Sequence, residues 1–306
     1  MLCQVKLDDS DDPYAIVVNT YSWPQNRKQL SRIIARTAST VTIYPPLAFD
    51  LPARLNPKLN VQRWQTESIG VEDLKIDATH SSFQGGQLSF NHVYGGWASK
   101  VEVRFAANYN CMVDGSLQCE VRHCFLADRI GEGSRGTALY LHASTSFCLI
   151  EDNILLREMP CLFLAGAATG NVIAYNYIGE SLVFGQRGKG IINNHGPHDS
   201  YNLYEGNICQ NFQSDGYFGS ASDETLFRNW FHGQAPGFEP SWTISLNRFT
   251  RRHSLVGNII GTDGTDNGDV SYGNPNMGNG VWTGTAQPSL GDWWADFAAM
   301  RAALPG

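Results

Sequence analysis

Charge is scarce in this chain, and basic charge is scarcest: 22 Lys and Arg stand against 29 Asp and Glu, a net charge of −7 over 306 residues. An acidic surface repels polyphosphate and anionic lipid, so nucleic acid and membrane are not expected as partners of the surface as a whole. No run of 18 apolar residues occurs, so no membrane-spanning helix is expected. Met1 to Val18 shows no basic stretch followed by an apolar core, so no signal peptide is expected either. The seven cysteines (Cys3, Cys111, Cys119, Cys124, Cys148, Cys161 and Cys209) are odd in number and include no Cys-x-x-Cys pair. They read as buried free thiols in apolar runs such as "SFCLI" and "PCLFL". Cys119, His123 and Cys124 lack the ligand spacing of a zinc site, and no metal ligand set is expected.

Apolar residues make up 42% of the chain and glycines number 31, which fits a folded protein and excludes a disordered one. The dominant feature is a repeat. "LIEDNIL", "VIAYNYI", "LYEGNIC", "LFRNWF" and "LVGNII" place Asn153, Asn176, Asn207, Asn229 and Asn258 at intervals of 23, 31, 22 and 29 residues. Upstream, "VEDLKID", "VEVRFAA" and "CEVRHCF" read in the same register around Asp73, Val103 and His123. Each unit carries an earlier apolar strand: "QLSFNHV", "NCMVDGS", "TALYLHAS", "CLFLAGA", "GIINNHG", "DGYFGSA" and "TISLNRF". The alternation has period two and is interrupted by Gly and Asn, so neither half of a unit is an amphipathic helix. About eight such units predict an all-β, right-handed parallel β-helix, with equivalent strands stacked about 4.8 Å apart. Asparagine side chains both donate and accept, so one turn of every coil would carry a hydrogen-bonded ladder.

The Asn ladder, the coil length and the strand–turn–strand rhythm resemble the pectin-lyase-like superfamily of right-handed parallel β-helices, over roughly Ile69 to Gly261. The resemblance implies a carbohydrate-active protein with a polysaccharide partner, extracellular or periplasmic in its full-length parent. The polygalacturonase signatures are not matched, nor are the paired Asp and Arg signatures of pectate lyases, so the resemblance assigns no catalytic residue.

Residues 1–68 are expected to form strands and a capping helix. "YAIVVNTYSW" and "STVTIYPPL" read as strands, with an amphipathic helix in "PQNRKQLSRIIARTAS" between them. Residues 69–261 form the β-helix. Residues 262–306 read as a loop and a C-terminal helix in "SLGDWWADFAAMRAAL" packing on the last coil. "DGTDNGD", from Asp263 to Asp269, reads as Asx turns or as a calcium site.

Candidate site residues come from the side chains that alternation turns outward on the first strand of each unit. Those are His142, His195, Tyr217 and Arg248, joined by Asp215 as a catalytic candidate. "HGPHDS" would project His198 and Asp199 beside the same groove, and "GQRGKG" would bring Arg187 and Lys189 to it as substrate-binding groups. Arg251 and Arg252 add basic charge nearby, which suits a uronate-bearing polymer. β-Elimination needs a cation for the carboxylate, a base for the C5 proton and an acid for the leaving oxygen. Hydrolysis needs two carboxylates about 5 to 9.5 Å apart. Asp114 and Asp215 lie four coils apart, on the order of 19 Å, which leaves Asp199 with Asp215 or Asp223 as the pairs on neighbouring coils. The reading favours a polysaccharide lyase, with a glycoside hydrolase as the alternative. A non-catalytic glycan-binding or structural module is the second alternative.

Overall fold

The computed structural model describes residues 1–7, 27–63, 65–129, 136–181, 189–214, 221–233, 243–247, 250–261 and 270–272. They form a right-handed parallel β-helix. Each coil contributes one strand to each of three sheets, and each sheet holds eight strands. The first sheet begins with Gly70–Glu72, the second with Lys75–Asp77 and the third with Gly86–Asn91. Pairing within all three is parallel and in register.

One side chain from each short strand points into the coil, and its equivalents stack along the axis. On the first sheet the inward column includes Ala98, Val121, Ile150, Ile173, Tyr204 and Leu226. On the second it includes Val103, Leu126, Leu155, Ile178, Cys209 and Phe231. Leu88, Cys111, Leu139, Leu162, Ile191, Phe212 and Ile244 complete the core from the third. All seven cysteines are buried and free, as the apolar runs around them imply.

The corner between the first and second sheets carries the ladder. Asn153, Asn176, Asn207 and Asn229 are almost fully buried. Asn153 Oδ1 accepts one bond from the preceding coil, from Cys124 N, and each later Oδ1 accepts two. For Asn207 these come from the backbone N and the Nδ2 of Asn176, both at 3.0 Å. Each Nδ2 also donates to a carbonyl of that coil's first-sheet strand: Val121, Ile150, Ile173, Tyr204 and Leu226 accept in turn from Asn153, Asn176, Asn207, Asn229 and Asn258. The residue before each ladder position is left-handed, from Asp73 through Lys100, His123, Asp152, Tyr175, Gly206 and Arg228 to Gly257. Non-glycine residues hold that conformation in six of these coils; at Gly206, φ 63°, a Cβ would also lie 2.6 Å from the Tyr175 ring, which glycine leaves room for.

Two expectations shift by local register. In the three earliest coils the ladder column is Leu74, Val101 and Cys124. Val103 instead points inward on the second sheet, and Asp73 and His123 occupy the left-handed position. The third-sheet strand of that coil is Phe212–Ser214, ahead of the expected "DGYFGSA", of which residues 215–220 lie outside the described residues.

The expected N-terminal helix is a strand. An antiparallel sheet is built from β1 (Leu2–Leu7), β2 (Arg27–Arg36), β3 (Val41–Tyr44) and β4 (Lys58–Val61), in the order β3-β2-β1-β4. Leu30 and Ser31 face opposite sides of β2 and both are buried. Both faces of the strand are covered there, and that burial with pairing to β1 and β3 outweighs the helix propensity of "RKQLSRIIAR". The sheet lies along the flank of the coils, across the turns that lead into the first sheet. Gln4 Nε2 donates to Ser144 Oγ at 2.6 Å, Leu30 N to Ser146 Oγ at 3.0 Å and Thr169 Oγ1 to the Lys28 carbonyl at 2.9 Å. Leu2 and Leu30 pack on Leu117 there. The expected C-terminal helix and the Asp263–Asp269 segment lie outside the described residues.

The ladder predicts a graded loss of stability. Replacing Asn207 with Ala strands two donors and one acceptor in the interior, at about 1–3 kcal/mol for an unmade buried bond. Asn207→Ala is expected to lower unfolding free energy by about 3 kcal/mol or more in urea titration. Asn258 is only half-buried, water can replace its bonds, and Asn258→Ala is expected to cost about 1 kcal/mol.

Candidate functional site

The outer face of the third sheet gathers the aromatic side chains. Strand pairing aligns Met112, Tyr140, Phe163, Ile192, Gln213 and Ser245 in one outward column. Tyr140 and Phe163 are stacked, their rings 4.8 Å apart and inclined at 18°. Tyr109 and His142 each approach Tyr140 at 4.9 Å, and His195 meets Phe163 at 5.3 Å. Five rings from neighbouring coils therefore form one continuous platform. Asp114 pairs with His142 across the next outward column, its Oδ1 3.2 Å from Nδ1. That bond turns Nδ1 to the carboxylate and leaves Nε2 as the nitrogen for a ligand. Both side chains keep about a quarter of their surface exposed (27% and 25%). Tyr140 is itself nearly buried (9% exposed), as are Ile192, Gln213 and Ser245, so the accessible rings of the platform are Tyr109, His142, Phe163 and His195.

Of the expected site residues, the structure brings His142 and His195 together on this platform. They are two coils apart, roughly 10 Å by strand spacing. Lys189 stands at the entry to the third-sheet strand Ile191–Asn193, its backbone N donating to Ser181 Oγ at 3.0 Å. Asp215, Tyr217, Arg187 and Arg248 lie outside the described residues.

His198 and Asp199 do not project beside a groove; both are fully buried. The antiparallel sheet covers this stretch, a contact between residues far apart in sequence. His198 Nε2 sits 2.7 Å from Ser222 Oγ, and burial pushes its imidazole well below the ordinary histidine range. Asp199 accepts backbone N–H bonds from Ala168 and Asn194, both at 2.7 Å, and so ties one turn to the coil before it. Burial pushes its carboxyl up to about 7, against the pull of those N–H groups and of Lys28. Asp199 is therefore a turn-locking group. Arg252 is held by Asp223 through two bonds at 2.6 and 2.7 Å, and Arg251 bridges to Ser222 in the turn column, away from the platform.

A second ladder went unread in the sequence, although its signal is there. Five residues before Cys124, Asn153, Asn176, Asn207 and Asn229 stand Cys119, Cys148, Asn171, Asn202 and Glu224. They bond from coil to coil: Cys148 N to Asn171 Oδ1, Asn171 N to Asn202 Oδ1 and Asn202 N to Glu224 Oε2, at 2.9, 2.9 and 3.0 Å. Glu224 is fully buried, and burial raises its carboxyl well above the ordinary range. Inside the same coils Tyr204 donates its hydroxyl to Asn193 Oδ1 at 3.2 Å. Glu158, buried at the corner before Leu162, is pushed up to about 9 by burial.

The fold defines the class as a right-handed parallel β-helix. No family model and no curated protein matches the chain. Among solved structures, the tailspike protein gp49 of Pseudomonas phage LKA1 is similar, with a TM-score of 0.52 and 11% identity. That match covers 83% of this chain and 41% of the tailspike, so the chain spans less than half the tailspike's length. The Streptococcus pneumoniae surface adhesin PfbA aligns at a TM-score of 0.45 and 13% identity, over 69% of this chain and 77% of the adhesin. The Gp54 tailspike of Acinetobacter baumannii bacteriophage AP22, solved in complex with capsular saccharide, aligns at 0.42 and 9% identity, over 84% and 52%. At these identities the likeness is one of fold.

Asp199 gives the protein a pH signature. Between the ordinary carboxyl value near 4 and its folded value of about 7, the folded chain keeps a proton that the unfolded chain releases. The stability from this group is complete below about pH 4 and is lost as pH rises to about 7, at up to about 1.4 kcal/mol per pH unit. Urea titrations across that window should show a slope smaller by about one proton in Asp199→Asn than in the wild type.

Proposed function

We propose that the chain is a glycan-binding β-helix that lays an extended polysaccharide along the outer face of its third sheet, in an extracellular or periplasmic setting. The observation that carries this reading is the ring platform of Tyr109, Tyr140, Phe163, His142 and His195 beside the Asp114–His142 pair. Sugar rings stack on aromatic faces through their C–H surfaces, and the polar edges of Tyr and His meet hydroxyl groups. Successive sugars rise by about the coil spacing, so a ligand running along the helix axis meets one row of side chains per residue. The capsular saccharide complex of the AP22 tailspike is a precedent for that ligand class on the same fold.

The finer part of the proposal is cleavage by β-elimination. The described third-sheet strands contain one acid, Asp114, and it is engaged with His142. That composition argues against a hydrolytic pair, which needs two carboxylates about 5 to 9.5 Å apart. His142, oriented by Asp114, is the base that removes the C5 proton of a uronate as the C4–O bond breaks, and the imidazolium so formed returns that proton to the leaving glycosidic oxygen. His195, two coils away, is too distant to serve the same bond and contributes to binding. Lys189 lies level with Thr137 in the strand register, two coils on and at the opposite end of the strand from His142, on the order of 19 Å away by strand geometry, so it serves a more distant uronate of the bound polymer and not the reacting one.

A panel of polysaccharides, followed by binding, unsaturated-uronate absorbance and reducing-end release, tests both levels. Binding is expected to weaken about tenfold or more in Phe163→Ala, the loss of one stacked ring. Unsaturated ends are expected from the wild type and not from His142→Ala. Reducing ends without unsaturation would replace elimination by hydrolysis, and binding without either would leave a glycan-binding module. Absence of binding to every polymer would overturn the whole reading.

A further inference from the structure

The outer face of the second sheet carries a feature that glycan binding on the third sheet does not use. Strand pairing aligns Phe125, Ile154, Tyr177, Ile208, Trp230 and Ile259 in one outward column, one residue per coil. Such positions on a solvated sheet are ordinarily polar. Here five of the six are exposed, from 38% for Ile208 and Trp230 to 64% for Ile259. Together they present on the order of 400 Å² of apolar surface, within the range of the largest patch on a typical monomer, often a functional one.

The column has the anatomy of a protein interface, an apolar core between polar rims. Along one side run the turn residues, with His123 Nε2 3.6 Å from Asp152 Oδ2. Along the other, Asp128 binds Arg104 and Arg157, and Arg157 also binds Glu180 at 2.9 Å. Those rim charges are paired among themselves, and the six stripe positions carry none. A second stripe can therefore approach without like-charge repulsion, even on an acidic protein. The rows rise by about 4.8 Å per coil, and rows of the same pitch interdigitate along their full length. A second copy of the chain offers this match with an apolar side chain at every step. The area also fits: the stripe supplies about half of the roughly 800 Å² that each partner buries in a standard interface, and the rims supply the remainder.

We propose that this stripe is a self-association surface, and that its occupant is the same stripe on a second copy of the chain. Sedimentation velocity at micromolar concentration is expected to show twice the monomer mass, because a patch that binds itself closes at two copies. Ile208→Lys and Trp230→Asp are expected to weaken association by about 30-fold or more, the range of interface hot spots. Both sites face outward, so thermal unfolding and circular dichroism should report an intact fold. Glu72→Lys, exposed on the outer side of the first sheet, should leave association unchanged. Because all seven native cysteines are buried, Ile208→Cys gives one reactive thiol, and a short bis-maleimide should link two copies through it. A monomeric wild type, a charged variant that stays assembled, or an absence of that cross-link would each overturn the proposal.

Discussion

A parallel coil has no chain-local reason to keep its register, because equivalent strands are separated by twenty to thirty residues of variable turn. What holds register here is the hydrogen bond between a buried asparagine and the backbone of the coil before it. Asparagine is suited to the place because one small side chain both donates and accepts. Its Oδ1 satisfies an otherwise orphaned backbone N–H at a corner where the strand ladder is interrupted, and its Nδ2 reaches a carbonyl of the same earlier coil. A slip of one residue would bury the wrong face of all three sheets at once.

Everything displayed on the outside inherits that register. The stacked rings of Tyr140 and Phe163 come from strands 23 positions apart. Ile154, Tyr177, Ile208, Trp230 and Ile259 fall into line on the second sheet through the same stacking. The antiparallel sheet adds a different constraint. By covering the turns before the first sheet it removes His198 and Asp199 from solvent, and Asp199 then spends its carboxylate on two turns of backbone. The chain therefore separates its faces: one flank is sealed, the third sheet offers rings and an oriented imidazole, and the second offers an uncharged apolar column.

The fold was legible because its signal is local. Five asparagines sit in short windows of alternating apolar residues, and those windows repeat. The earlier coils were harder, since Leu74, Val101 and Cys124 fill the ladder column without the side-chain chemistry that marks it, and the reading slipped to Val103. The second ladder was legible in principle from the fixed five-residue spacing before each asparagine, but its members change identity from Cys to Asn to Glu. Arg27–Arg36 reads as a helix because helix formers fill it, and only pairing with β1 and β3 makes it a strand. For the candidate site, alternation found His142 and left His195 to a one-residue ambiguity. It could not foresee that His198 and Asp199 would be covered, because the covering strand lies some 170 positions earlier in the chain. Asp114 was weighed only as a carboxylate, and its bond to His142 appears once the coils are stacked.

Hydrogen exchange at the ladder amides tests the central claim most directly. The backbone N–H groups of Cys124, Asn153, Asn176, Asn207 and Asn229 each bond to the next ladder side chain. If those bonds fix the coils, the five amides exchange only through global unfolding, with one shared protection free energy equal to that of the core strands. Exchange of any interior member at the rate of an exposed turn would contradict the account.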